Sequence, residues 1–408
     1  MVVYNICIWF YAFAVRLAAP FNRKARLWIA GRKKIFRRLS DAIPDGARVV
    51  WVHAASLGEF EQGRPLIETI KKEHPGFKIL LTFFSPSGYE VRKDYRGADY
   101  VFYLPLDTPR GARRFMKTVD PEVAIFIKYE FWLNYLRQLR RSRCRTYIVS
   151  AIFRKDSAFF RWYGRIYRNA LRTYDTIFVQ KGSSKDLLAS IGVTNVIEAG
   201  DTRFDRVAAI AASAREVPMV ETLRGGGRLL VAGSTWPPDE ELLMGIVNVF
   251  EDMKLVVVPH EIEPERIERI VASMPAKTVK YSASPSDDEL RRARVLVVDT
   301  IGMLSSLYRY AYLSYIGGGF GAGIHNTLEA ATFGIPVAFG PNYGKFREAR
   351  EMIAIECARS VGSAQELLTW IEGFEKDKEL YDVTCRKAEG YVTSNRGATG
   401  MIVDKIFS

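Results

Sequence analysis

The chain has 408 residues, 48% of them hydrophobic and 12% aromatic, a content that supports packed cores and excludes wholesale disorder. Lys and Arg number 59 against 46 Asp and Glu, a net charge of +13, which favours anionic partners: nucleic acid, acidic membranes or phosphorylated substrates. The length suits two domains, and the scattered cysteines (Cys7, Cys144, Cys357, Cys385) and histidines (His53, His74, His260, His325) argue against a disulfide framework or structural zinc.

Residues 1–22 open with MVVYNICIWFYAFAVRLAAPF, in which Arg16 is the one charged side chain. The basic run NRKARLWIAGRKKIFRR follows. A secretory signal carries its basic residues first, so cleavage is not expected. Spanning a bilayer takes about 20 apolar residues, and Arg16 and Pro20 interrupt this stretch. The reading is an N-terminal membrane anchor, short-spanning or lying in the interface, with its basic flank on anionic lipid. A buried helix of the first domain is the plainer alternative.

A regular rhythm follows. Apolar runs ARVVWVHAA, KILLTFFS, YVFYLPLD, VAIFIKYE, TYIVSAIF, TIFVQ and NVIEAGD alternate with helix-like stretches, then RLLVAGST, KLVVVPHE, RVLVVDT, YLSYIGGG and IPVAFGP do the same. Continuous apolar strands alternating with helices predict parallel sheets covered on both faces. The rhythm falters between Ala208 and Arg228, where Gly225, Gly226 and Gly227 end any helix. The expected organisation is an α/β chain: an anchor at 1–22 and two doubly wound, Rossmann-like domains at 23–212 and 213–408, facing an interdomain cleft. Ligands of such sheets gather beyond the carboxyl ends of the strands.

The distinctive clusters lie in those loops. In HAASLGE, Gly58 is read as allowing a tight turn, and Glu59 follows it at a helix start. A fixed carboxylate there is a candidate general base, or simply a first-turn acid complementing the helix dipole. In VAGST, Ser234 and Thr235 precede a helix and suit either a phosphate or a cap. Pro259 and His260 end a strand, as do the residues around Gly302, Met303 and Leu304. Either loop borders a ligand or makes an ordinary turn. The stretch IGGGFGAGIHNTLEA carries five glycines, Gly318 and Gly319 among them, then His325, Asn326, Thr327, Leu328 and Glu329. Exposed amides at a helix start suit a phosphate and Glu329 suits ribose hydroxyls, but the spacing is neither a dinucleotide fingerprint nor a P-loop. In GDTRFD, Arg203 is either a partner for a leaving phosphate or a surface arginine.

Together these clusters resemble the 3-deoxy-D-manno-octulosonic acid (Kdo) transferases of lipopolysaccharide assembly, inverting glycosyltransferases of the two-domain GT-B type. HAASLGE is similar to the family's H-A-x-S-x-G-E, YEFWLN to the second half of E-T-E-L-W-P-N, GDTRFD to G-N-x-K-F-D, and IHNTLEA to G-H-N-x-L-E-P. The resemblance runs over nearly the whole chain. It implies that Glu59 is the catalytic base, with Glu130 and Arg203 as further catalytic residues. Ser234, Thr235, Pro259, His260, Gly302, Met303, Leu304, Gly318, Gly319, His325, Asn326, Thr327, Leu328 and Glu329 are implied to hold the cytidine nucleotide. It further implies CMP-Kdo as donor, a lipid A precursor as acceptor, no cofactor and no metal, at the cytoplasmic face of the inner membrane. Departures are Lys128 in place of the first glutamate of E-T-E, Arg203 for a lysine and Met303 for a glutamate. His260-Glu261 stands near a P-R-H, and Ile324 and Ala330 replace a glycine and a proline.

Two competing readings remain at the level of sequence. One is another GT-B enzyme acting on UDP-sugars, a transferase or an epimerase. The other is a membrane-attached nucleic-acid-binding protein, which the charge alone supports and for which no recognition motif is present; no nucleic acid is expected. The number of Kdo units, the acylation state of the acceptor and the oligomeric state are not written in the sequence.

Overall fold

The computed structural model describes residues 1–247 and 249–408. They form two α/β units, Met1–Arg206 with Arg396–Ser408, and Val207–Asn395. Each is built on a parallel sheet, so the expected pair of doubly wound domains, the GT-B type, is present.

In the first unit the strands are β1 (Val49–Ala54), β2 (Lys78–Phe83), β3 (Tyr100–Tyr103), β4 (Val123–Ile127), β5 (Arg145–Ala151), β6 (Thr176–Val179) and β7 (Val196–Glu198). They lie in the order β3-β2-β1-β4-β5-β6-β7. Every residue of β1 is buried. Its side chains alternate between two cores, as the two-residue period of a strand dictates. Val49 and Trp51 enter the layer holding Phe115, Phe126 and Tyr135, while Val50, Val52 and Ala54 enter the layer holding Leu66, Ile67 and Ile402. This two-sided burial is why the strand reads as an unbroken apolar run.

In the second unit β8 (Arg228–Thr235), β9 (Met253–Pro259), β10 (Thr278–Lys280), β11 (Val295–Val297), β12 (Leu313–Ile316), β13 (Val337–Phe339) and β14 (Ala358–Ser360) take the order β10-β11-β9-β8-β12-β13-β14. The apolar runs foreshadow all of these except β10 and β14. Those two are three-residue edge strands, and an edge position demands little apolar signal.

The domain limits differ from the expected ones. The units divide at Arg206, inside the helix Thr202–Ala212, and not after residue 212. The last helix, Ala398–Phe407, belongs to the first unit and not the second. Ile402, Val403 and Ile406 of that helix join the core that contains β1. The Asp205 carboxylate accepts from the Gly397 and Thr399 amides, each at 2.7 Å, capping its start. The His74 and Phe407 rings stack at 3.9 Å.

The N-terminal segment is the 17-residue helix Val2–Ala18. At 1.5 Å per residue it reaches about 26 Å, short of the ~30 Å hydrocarbon core. Among the described residues no helix is long and apolar enough to cross a membrane. Tyr4, Tyr11 and Ala12 attach it to the first unit: the Tyr4 hydroxyl donates to Asp107 at 2.5 Å and Tyr11 packs on Trp28 and Phe84. Its other side leaves Val2, Val3, Ile6, Trp9, Phe10, Phe13 and Leu17 exposed.

Candidate active site

In the first sheet the chain order reverses between β1 and β4, so the crevice beyond their carboxyl ends is the natural ligand position. HAASLGE leaves β1 and KYEFW leaves β4. Glu59 lies in the first turn of the helix Leu57–Glu73, half-buried, and its Oε2 accepts a short hydrogen bond from the Ser56 hydroxyl. Gly58 is not at a tight turn, as the sequence suggests. It sits inside the helix, and a Cβ there would meet only Ser56 Oγ at 3.9 Å.

Below this loop is a buried polar network that the sequence does not announce. His53 is fully buried. Its Nδ1 lies 2.9 Å from Thr82 Oγ1, and its Nε2 lies 3.2 Å from Glu130 Oε2. Trp51 donates to Thr82 Oγ1 at 2.7 Å, and Trp132 donates to Glu130 Oε2 at 2.5 Å. Nδ1 also lies 3.1 Å from the Thr82 carbonyl oxygen and Nε2 lies 3.1 Å from the Trp132 indole nitrogen, so polar partners enclose both ring nitrogens. Glu130 thereby links the ends of β1 and β4 through His53 and Trp132. Lys128 holds a left-handed backbone at φ 67°, a conformation that costs a non-glycine residue about 1 kcal/mol or more and tends to persist near functional sites.

Arg203 follows β7. Its guanidinium donates twice to Asp201 Oδ2, at 2.8 and 2.9 Å, and its amide donates to Asp201 Oδ1 at 3.0 Å. A buried carboxylate therefore offsets the charge expected to meet a leaving phosphate. Thr202 beside it donates to the Gln62 carbonyl at 2.7 Å, fastening GDTRFD to the Glu59 helix.

In the second sheet the order reverses between β8 and β12. Near the end of β8, Ser234 takes a left-handed conformation, φ 54°, where the register with β9 shifts. Thr235 is buried and its hydroxyl donates to Glu240 at 2.9 Å. The next helix, Pro237–Met244, begins with two prolines, which have no N–H. A phosphate here meets neither the Thr235 hydroxyl nor an amide of residue 237 or 238.

Asp239 organises this end of the sheet, and the sequence reading passes over it. It is buried. Oδ2 accepts from the Trp236 amide at 2.9 Å and the Gly318 amide at 2.8 Å, and Oδ1 accepts from the Tyr315 hydroxyl at 2.9 Å. One carboxylate thus joins the β8 turn to the glycine loop after β12. That loop is glycine-rich for packing as well as access. A Cβ on Gly317 would lie 2.3 Å from the Ser234 carbonyl oxygen, and one on Gly319 would lie 2.5–2.7 Å from Gly340 backbone atoms.

Trp236, His260 and His325 form a stack, with ring centroids 5.0 Å apart for the first pair and 4.3 Å for the second. Burial and the adjacent His260 hold the His325 pKa below its ordinary value. The Asn326 amide donates to Glu329 Oε1 at 2.9 Å, and its oxygen accepts from the Leu328 amide at 3.1 Å. The helix there, Leu328–Ala331, is a single turn. Thr327 Oγ1 is buried without a hydrogen-bond partner. Leu328, Ile324 and Ala330 are buried, so the two departures at 324 and 330 fill core. Pro259 is buried and His260 exposed. Gly302 takes φ 88°, Met303 Sδ receives the Thr300 hydroxyl at 3.0 Å, and Leu304 packs where a Cβ on Gly233 would fall. Among the described residues no group of three or more His, Cys, Asp and Glu side chains is placed to hold a metal ion.

A family model described as 3-deoxy-D-manno-octulosonic-acid transferase (kdotransferase) matches residues 29–206. The 3-deoxy-D-manno-octulosonic acid transferase of Rickettsia felis is 28% identical over 331 residues, 79% of this chain and 70% of that protein. That of Aquifex aeolicus is 28% identical over 329 residues, 78% of this chain and 84% of that protein. The crystal structure of UDP-GlcNAc 2-epimerase from Neisseria meningitidis bound to UDP-GlcNAc is 14% identical and has a TM-score of 0.60, covering 88% of this chain and 99% of that one. At that identity the likeness is one of fold.

Proposed function

We infer from its membership of the Kdo transferase family, to which this chain belongs, that it transfers Kdo in lipopolysaccharide core biosynthesis. The observation that carries this reading is the family match across the first unit, joined to similarity along most of the chain to enzymes named for that reaction.

We propose Glu59 as the general base. An acceptor hydroxyl of a lipid A precursor attacks the anomeric carbon of CMP-Kdo, its proton passes to the Glu59 carboxylate, and the bond to the CMP oxygen breaks on the opposite face. The position of Glu59 at the β1/β4 reversal supports the role. The Ser56 hydroxyl fixes one carboxylate oxygen and leaves the other to take the proton. The second unit would hold the cytidylate, with Glu329 oriented by Asn326 toward ribose hydroxyls and His325 toward the phosphate. CMP leaves with one phosphate, and no metal step is invoked. Glu59→Gln is expected to lower kcat by about 10²–10⁴-fold, the range of a general base, with CMP affinity unchanged. Turnover within tenfold of wild type would remove Glu59 from this role. In the same assay activity should persist in EDTA, and a loss restored by magnesium would refute the metal-free step. Displacement of CMP but not UDP separates this reading from a UDP-sugar enzyme.

We further propose that the exposed apolar face of the helix Val2–Ala18 lies in the interface of the cytoplasmic leaflet, with Arg23, Lys24 and Arg26 on anionic headgroups. A groove of about 360 Å³ beside it, lined by Trp9, Trp28 and Leu106 and by Arg16, Arg32 and Lys33, combines apolar walls with cations, the chemistry that complements an acylated phosphate. The chain should float with phosphatidylglycerol vesicles, and a Trp9→Ser, Phe10→Ser, Phe13→Ser variant should not. Equal flotation would refute the interfacial helix.

A further inference from the structure

Three rings converge at the carboxyl ends of β8, β9 and β12. Trp236 is the last residue before the helix Pro237–Met244, His260 follows β9, and His325 follows the glycine loop. Two observations fix their relation. The indole stacks on His260 and His260 stacks on His325, at interplanar angles of 29° and 23°. The indole Nε1–H also donates to His325 Nε2 at 3.1 Å. An imidazole nitrogen that accepts a hydrogen bond carries no proton, so a neutral His325 is protonated on Nδ1. Free imidazole side chains favour the other form, which means the indole sets the tautomer against its own bias. Among the described residues His325 Nδ1 has no protein acceptor.

The surroundings keep the indole in place. The Trp236 amide is held by buried Asp239, which also holds the Gly318 amide. The His325 edge bearing Nε2 faces Gly318, where an added Cβ would come within 3.3 Å of that nitrogen. The Arg266 guanidinium lies 5.7 Å from the indole centroid. The charged groups facing His325 are therefore His260 and Asp239, with Arg266 beyond the indole. His260 and burial oppose a proton on both nitrogens, and Asp239 favours it; the first two dominate.

We propose that Trp236 is a positioning residue that holds His325 as the neutral Nδ1–H tautomer, so that its free N–H serves as a hydrogen-bond donor to the nucleotide. This rests on the reading of the second unit as the cytidylate site. Trp236 does not itself need to touch the ligand. Its effect passes through one nitrogen, and that is what distinguishes it from an aromatic residue kept for packing.

The test is two-bond ¹⁵N–¹H correlation of the histidine rings in the full-length chain, with His325 assigned by His325→Gln, alongside titration with CMP. The wild-type spectrum should show His325 protonated on Nδ1. Trp236→Phe keeps a ring and removes the donor. It should shift His325 toward the Nε2–H form and weaken CMP binding about tenfold, the equivalent of one hydrogen bond. A wild-type His325 protonated on Nε2 overturns the proposal without any variant. So does a Trp236→Phe spectrum with an unchanged tautomer, or a shifted tautomer with unchanged CMP affinity. The spectrum and the titration need no turnover. The expected pair of results supports the role of Trp236 even in a preparation inactive toward CMP-Kdo, so the two readings fail separately.

Discussion

Asp239→Ala is the perturbation the second unit should feel most. The carboxylate is buried and receives three donors, the Trp236 and Gly318 amides and the Tyr315 hydroxyl. Each hydrogen bond to a charged acceptor contributes about 1.5–3 kcal/mol, and each stranded buried donor costs about 1–3 kcal/mol. These are alternative accounts of one loss and do not add. Some donors would relax toward water, and the expected destabilisation is about 3–5 kcal/mol. For a unit of this size that lowers Tm by roughly 6–20 °C. Because the same carboxylate joins the β8 turn to the glycine loop, CMP affinity should fall with stability. Tyr315→Phe removes one donor and leaves both amides held. It should cost about 1.5–3 kcal/mol and leave CMP binding intact. Differential scanning calorimetry with and without CMP reads both effects. Asp239→Ala with a Tm within 2 °C of wild type and an unchanged CMP Kd would refute the account of Asp239 as the tie between the two loops.

The glycine loop gives a paired prediction. Gly319→Ala drives a Cβ into Gly340 backbone atoms 2.5–2.7 Å away and should cost about 1–3 kcal/mol or more, whereas Gly321→Ala meets only the Gly318 carbonyl oxygen at 3.7 Å and should stay within about 0.5 kcal/mol; equal Tm values for the two variants would contradict the packing argument. The first unit gives a pH prediction. Burial raises the Asp107 carboxyl from 3.8 to about 6, against hydrogen bonds from Tyr4 and the Asn134 and Tyr135 amides. An acid raised on folding contributes stability that is present below its unfolded pKa and lost as pH rises through the folded one, here about 3 kcal/mol between pH 4 and 7. Urea unfolding of Asp107→Asn should lack that part of the slope, and parallel stability–pH curves for wild type and variant would refute it.

Much of the architecture was legible because two-sided burial forces a strand to be apolar throughout. The runs VVWVHA and KLVVVP read as strands for that reason, and both are buried along most of their length. The loops that follow them read as sites because parallel sheets present their carboxyl ends to ligands. Glu59 was nameable on this ground. Asp239 was not, since a carboxylate at a helix start looks like any first-turn acid until Tyr315 and Gly318 are seen to donate to it. The roles of Glu130 and Arg203 likewise turned on partners, His53 and Trp132 for one and Asp201 for the other. Gly317 and Gly319 read as access for a ligand, while their neighbours show that the backbone itself occupies the space.

Periodicity and composition, then, determined by themselves where all the strands but the edge pair β10 and β14 lie, that the sheets are parallel, and which loops lie at their carboxyl ends, because these follow from local burial and chain order. Only the tertiary structure decided that Ala398–Phe407 returns to the first unit, that His53 is a buried link between β1 and β4, and that Trp236 donates to His325. Those facts depend on groups far apart in the chain meeting within hydrogen-bonding distance, and a hydrogen bond of that kind leaves no period in the sequence.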